Sequence, residues 1–82
     1  MNFKVVFSID AAEELLSIIG KVDAVSVLSP SESIRKALEV DPLGAGRELS
    51  EGLRYIDRDP LRAFFVVSEE IEIVEVTDFR WF

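Results

Sequence analysis

The chain contains neither cysteine nor histidine. The first absence excludes disulfide staples, thiolate metal sites and a cysteine nucleophile. The second removes the side chain best suited to moving protons near neutral pH. No apolar run approaches the length needed to cross a bilayer, and the N-terminal MNFKVVFSID lacks the basic start and small-residue cleavage site of a signal peptide. A soluble, cytoplasmic chain without membrane contact is the expectation. There is no internal repeat, linker or low-complexity segment, so residues 1–82 read as a single domain.

Positive charge is scarce. Nine Lys and Arg face sixteen Asp and Glu, for a net charge of −7. This balance disfavours nonspecific adhesion to nucleic acid, because phosphate binding is driven largely by cations that displace counterions. The few cations are unevenly placed: Lys4, Lys21, Lys36 and Arg35 lie in the first half, and Arg47, Arg54, Arg58, Arg62 and Arg80 in the second. Arginine concentrated in this way points to recognition rather than bulk solubility. A chain of 82 residues that is 49% hydrophobic can form one compact domain. It buries too little surface to leave much margin of stability, so a partner that covers apolar surface is a natural expectation.

Apolar residues Phe3, Val5, Phe7 and Ile9 share one parity while Lys4 and Ser8 take the other, which predicts a strand over 3–9. Asp10 then offers a capping carboxylate and Glu13 completes a box-like start, predicting a helix over 11–19 that Gly20 ends. The stretch 22–28 fits a second helix or a loop, with helix favoured. Ser29, Pro30 and Glu32 signal a fresh helical start, and Ile34, Ala37, Leu38 and Val40 form its buried stripe. Asp41-Pro42 closes that helix. Residues 43–52 read as a glycine-punctuated loop, and strands follow over 53–56, 61–68 and 71–78, with turns at 57–60 and 69–70. The fold class is α+β with the order β-α-α-β-β-β: two N-terminal helices packed on a mainly antiparallel curved sheet. The third predicted strand is apolar on both parities, so both of its faces want cover. Two helices supply one face. The 43–49 loop or a second chain would have to supply the other.

The DPLGAGRELSEGLR segment at 41–54, the hydrophobic strand opened by Leu61-Arg62 and the closing VEVTDFR at 74–80 resemble the RelE/ParE superfamily of type II toxin-antitoxin toxins, most strongly over 41–80. The resemblance implies a small bacterial toxin neutralised by a cognate antitoxin. RelE-type members cleave mRNA in the ribosomal A site, and ParE-type members inhibit DNA gyrase. Homodimers and hetero-oligomers with the antitoxin both stay open. In the RelE branch a basic residue on the second strand, an arginine opening the third and one ending the fourth serve the scissile phosphate. Those positions fall here on Arg54, Arg62 and Arg80. A second basic residue beside Arg54 is missing, as is the tyrosine that some RelE members carry after the last strand.

RNA cleavage through a 2′-hydroxyl needs a base, an acid and cations for the crowded phosphate. Arginine fills only the last role well. With no histidine, Tyr55, Asp57, Asp59 and Asp78 remain as improvised acid-base candidates, so protein binding in the ParE manner fits better than vigorous nuclease action. A catalytically inert interaction module that kept the fold is the third reading. The arginines have a plainer role as well, as partners of Glu72, Glu75 or Asp78 on adjacent strands. A shared concave face free of carboxylates would favour function, whereas one-to-one pairing would favour the plainer role. Glu13-Glu14 and Glu69-Glu70 read as solvated faces, GAG at 44–46 as a turn, and nothing shows metal-ligand or cofactor-binding spacing.

Overall fold

A computed structural model of the chain describes residues 2–82. In chain order the elements are β1 (Lys4–Phe7), α1 (Ile9–Lys21), α2 (Ala24–Val40), α3 (Pro42–Ala45), β2 (Arg47–Ser50), β3 (Leu53–Arg58), β4 (Leu61–Ser68) and β5 (Ile73–Trp81). The strands form one sheet in the order β1-β5-β4-β3-β2. All neighbours are antiparallel except β1 and β5. The α+β class and the two helices on a mainly antiparallel sheet match the expectation, and α3 with β2 replaces the loop expected over 43–52.

Strand β1 ends at Phe7 because Ser8 takes two jobs. Its Oγ accepts from the backbone N–H of Ala11 at 3.0 Å, capping α1, and donates to the carbonyl of Thr77 at 3.2 Å. Ser8, and not Asp10, is therefore the cap. Ile9 enters the helix 80% exposed instead of completing the strand. Gly20 does not stop α1, which runs on to Lys21 and is closed by the N–H of Val22 on the Ile18 carbonyl at 3.0 Å.

The stretch 22–28 is largely helical, as favoured, but no new helix starts at Pro30. A single α2 begins at Asp23, whose side chain accepts from Val25, and carries Pro30 in its interior. Proline there removes one helical hydrogen bond at a cost of about 3 kcal/mol. The helix persists because Val27, Ser31, Ile34 and Leu38 form one unbroken buried stripe at spacings of four, three and four. Packing decides the boundary, and the local signal at Ser29-Pro30 loses.

Both helices lie on one face of the sheet. There, Ile56 from β3, Leu61, Ala63 and Phe65 from β4, and Val74, Val76 and Phe79 from β5 meet Ala11, Ile18, Val27, Ile34 and Leu38 in one core. In β5 the buried positions change parity from 74 and 76 to 79. The register pairs Phe65 with Val76 but Phe64 with Asp78, so Thr77 is an extra residue, a β-bulge. The bulge turns Phe79 inward, edge-to-face on Phe7 at 5.3 Å between centroids, and turns Asp78 and Arg80 outward. Strand β5 accordingly begins and ends later than the predicted 71–78: residues 69–72 form the connection, with Glu72 at a positive φ of 56°.

The opposite face of the sheet carries no helix. Phe64 is half-buried there and Val66 is 37% exposed. The 43–49 segment does not fold over this face. It extends the sheet edge instead, and all four residues of β2 are exposed.

Ser8→Ala removes the α1 cap and the bulge tether together. A loss of about 1–2 kcal/mol is expected, read as a lower denaturant midpoint at unchanged m-value.

Candidate functional site

Pairing across β2, β3, β4 and β5 sorts the second-half arginines by face. Arg47 stands opposite Tyr55, Tyr55 opposite Phe64, Asp57 opposite Arg62, and Arg62 opposite Arg80. Arg62 and Arg80 thus lie side by side on the open face, which also carries Arg47, Tyr55 and Asp57. Arg54 does not join them. It pairs with Phe65, whose ring belongs to the helix-covered core. The hollow of three guanidinium groups expected from the sequence is not formed, because the two-residue alternation of β3 places Arg54 opposite in face to Tyr55 and Asp57.

Arg54 works as a clip. Its Nη2 donates to the carbonyls of Leu43 at 2.8 Å and Gly46 at 3.2 Å, tying the α3–β2 segment to β3. Gly46 permits this closeness, since a Cβ there would stand 2.4 Å from Phe65 Cζ and 2.9 Å from the Tyr55 carbonyl oxygen. Arg54→Ala releases both carbonyls. A destabilisation of about 1.5–3 kcal/mol is expected, with faster amide hydrogen exchange confined at first to 43–50.

Arg62 is held on three sides. Its Nε and Nη2 donate to the two carboxylate oxygens of Asp57 at 2.6 and 3.0 Å. Its guanidinium carbon lies 4.4 Å from the Tyr55 ring centroid and 5.0 Å from that of Phe82. Arg80 leans on Asp78, with Nε 3.6 Å from Oδ2. These two carboxylates let like charges stand opposite each other on β4 and β5. The arrangement is one-to-one pairing, not a bare cationic hollow.

Of the improvised acid-base candidates, Asp57 and Asp78 are engaged by neighbours, whereas Asp59 and the Tyr55 hydroxyl make no hydrogen bond. Asp57 is locked to Arg62, Tyr55 lies against the same guanidinium, and Asp78 Oδ1 accepts from the N–H of Phe79 at 2.9 Å. Asp59 borders a cleft of about 290 Å³ with Leu61, Arg62 and Phe82. The hydrogen bond from Arg62, aided by the charges of Arg62 and Arg47, holds the Asp57 carboxyl below the usual carboxylate range. Arg62 rises in turn. A carboxylate held down in this way stays ionised at neutral pH and is a poor proton acceptor.

Sequence reasoning missed the placement of Arg47, assigned to a loop although the structure puts it on β2, and the engagement of Phe82 with Arg62. The signal for the first was the alternation R-E-L-S followed by Glu51-Gly52, a two-residue reversal with Gly52 at a φ of 80°. Among the described residues no three His, Cys, Asp or Glu side chains gather to hold a metal ion. No described helix is long and apolar enough to cross a membrane.

The architecture is shared with chains of two solved toxin-antitoxin complexes. A chain of the toxin-antitoxin complex RelBE2 from Mycobacterium tuberculosis superposes with a TM-score of 0.85 at 19% identity, over 100% of both chains. A chain of the chromosomal ParDE toxin-antitoxin system from P. aeruginosa gives 0.77 at 20% identity, over 96% of this chain and 95% of that one. At these identities the likeness is one of fold. No family model and no curated protein matches the sequence.

Because Asp57 titrates lower folded than unfolded, the pair's contribution is complete at neutral pH and is lost as pH falls through the depressed value. Arg62→Gln removes the largest cause of the depression and should raise the Asp57 midpoint. Carboxyl ¹³C NMR checks it, and an unmoved midpoint refutes the lock.

Proposed function

We propose that this protein is the toxin component, or a toxin-like homologue, of a type II toxin-antitoxin pair, that it acts by binding protein, and that a cognate antitoxin neutralises it. The full-length likeness in fold to chains of the RelBE2 and ParDE complexes carries the class. The self-neutralised arginines carry the mode. Arg62 is held by Asp57, Arg80 lies 3.6 Å from Asp78, and neither histidine nor cysteine is available beside them. This favours protein binding, of which gyrase inhibition in the ParE manner is the specific form, over mRNA cleavage in the RelE manner. The open sheet face supplies apolar surface for a partner, with Phe64 and Val66 flanked by Tyr55 and Arg62.

Expression in bacteria should slow growth, and co-expression of the neighbouring open reading frame should restore growth and yield a copurifying complex. Purified protein should lower gyrase supercoiling while leaving ribosome-bound mRNA intact. A-site cleavage abolished by Arg62→Ala would instead establish the nuclease reading. Absence of both growth defect and copurifying partner would remove the toxin assignment. A partner bound without effect on growth, gyrase or translation would identify an inert interaction module.

A further inference from the structure

Strand β1 ends before its neighbour does. Its last pair joins Phe7 to Val76, and β5 runs on to Trp81 with α1 packed against it. Two clefts open along that seam. One, of about 550 Å³, is lined by Asp10, Glu13, Glu14 and Ser17 from α1 and by Thr77 and Asp78 from β5. The other, of about 430 Å³, is lined by Glu14, Ile18, Lys21, Val22, Arg80 and Trp81. They meet at Glu14. Positions 10, 14, 17 and 21 recur at the spacing of one helical face, so the two clefts form a single groove along the length of α1. Its walls are joined at the acidic end, where the Ser8 hydroxyl caps α1 and donates to the carbonyl of Thr77 at 3.2 Å.

The two ends of the groove differ in chemistry. Asp10, Glu13, Glu14 and Asp78 bring carboxylates to the first cleft, and no cation lines it. Ion pairs among the described residues use only Arg35, Arg62 and Arg80, so of these carboxylates only Asp78 has a cation beside it. The carboxylates do not converge: among the described residues no three acidic side chains gather to hold a metal ion. Carboxylates spread along a helix suit cations carried on a chain better than one small ion. The second cleft is apolar, with Ile18 buried at its floor and the Trp81 indole 39% exposed at its wall. Lys21 stands at its outer end, and the Arg80 guanidinium turns away to the open face beside Asp78.

We infer that the groove between α1 and the end of β5 is a docking site for a short basic segment of a protein partner, whose cations face Asp10, Glu13 and Glu14 and whose large apolar side chain enters the Trp81 cleft. This rests on the protein-binding reading above and names the chemistry of the bound segment. The carboxylates supply the preference for base, and the apolar cleft supplies the anchor. The net charge of −7 works in the same direction at longer range, drawing a basic segment towards the molecule. Lys21 at the apolar end disfavours a segment that is basic throughout, so the cations and the anchor occupy opposite ends. The cleft centres, near Glu13 and Ile18, lie on the order of 8 Å apart along the helix, a span that two intervening extended residues cover.

The probe is acetyl-Lys-Arg-Ser-Ser-Leu-Phe-amide, used together with the same residues in reverse order because either chain direction fits the groove. The chain has a single tryptophan, so Trp81 fluorescence reports the apolar cleft directly. Binding should shift that emission and the ¹⁵N amide signals of α1, and should weaken as salt rises. Versions with Glu-Glu in place of Lys-Arg, or Ala-Ala in place of Leu-Phe, should bind at least about tenfold more weakly. The double variant Glu13→Gln, Glu14→Gln should lose about tenfold, at about threefold for each exposed pair. The double variant Glu69→Gln, Glu70→Gln changes the net charge equally at the other end of the sheet and should bind as the parent does. Equal binding of the Glu-Glu peptide, unmoved Trp81 emission, equal losses in the two double variants, or occupation of the groove by a second copy in sedimentation and exchange measurements would each overturn the inference. A copurifying partner that leaves the Trp81 emission unmoved would overturn it while preserving the protein-binding reading. Peptide binding in the groove without any growth defect would preserve the inference and remove the toxin reading.

Discussion

One extra residue, Thr77, decides which side chains of the last strand meet the core and which meet solvent. Before it, Val74 and Val76 point at the helices; after it, Phe79 does, and Asp78 and Arg80 face outward. Without the bulge, strict alternation would drive Arg80 and Asp78 towards the buried layer and expose Phe79. Burial of an unpaired charge costs far more than the bulge itself, so the register is strongly specified. The chain fastens the irregularity from two directions: Ser8 donates to the Thr77 carbonyl, and Thr77 Oγ1 lies 3.4 Å from the carbonyl of Phe64. The start of α1 and the end of β5 are therefore set by the same hydroxyl, 69 residues away in sequence. That tether links the helical layer to the strand whose far end carries Arg80 and leads to Phe82.

The surface arginines then divide according to what holds them. Arg54 is structural, because two backbone carbonyls of the α3–β2 segment occupy it. Arg62 is fixed by geometry more than by energy. An exposed bidentate pair contributes little to stability, yet with Tyr55 and Phe82 against its two sides the guanidinium has few other orientations. Fixed and paired, its guanidinium has two of its donors already committed to Asp57. Residues of one type within 35 positions therefore serve as clip, lock and free cation, and only their partners separate the roles.

Much of the architecture was legible from the chain. Strand β4 has the predicted bounds because six of the eight residues from Leu61 to Ser68 are apolar and lie between two unmistakable reversals, and Asp41-Pro42 ends α2 because few residues before proline stay helical. The misreadings share a cause: local signals lost to long-range packing. Ser29-Pro30 looks like a helix start, but the stripe from Val27 to Leu38 needs one continuous helix. Asp10 looks like a cap, but only Ser8 also reaches Thr77. The candidate site was half legible. Arg62 and Arg80 do adjoin, whereas Arg54 falls on the other face and Arg47 on the shared one, because one-residue parity in β3 and an unsuspected edge strand are invisible without the register. The apolar double parity of β4 was a true signal: of the two covers it allowed, the 43–49 segment is not the one, and the second face stays open.

Charge along the sheet adds a final constraint. The end where β3 turns into β4 and β5 finishes holds Arg58, Arg62 and Arg80, with Arg47 close by, while the far end holds Glu69, Glu70, Glu72 and Glu75. An acidic protein with its arginines at one end presents a field that favours a single orientation of a charged partner on approach, even though the net charge repels acidic molecules at distance. At contact range Asp57 is held by Arg62 with Arg47 adding its charge nearby, and Asp78 lies beside Arg80. Those local pairs act within about 8 Å at physiological salt, whereas the net charge is screened beyond it.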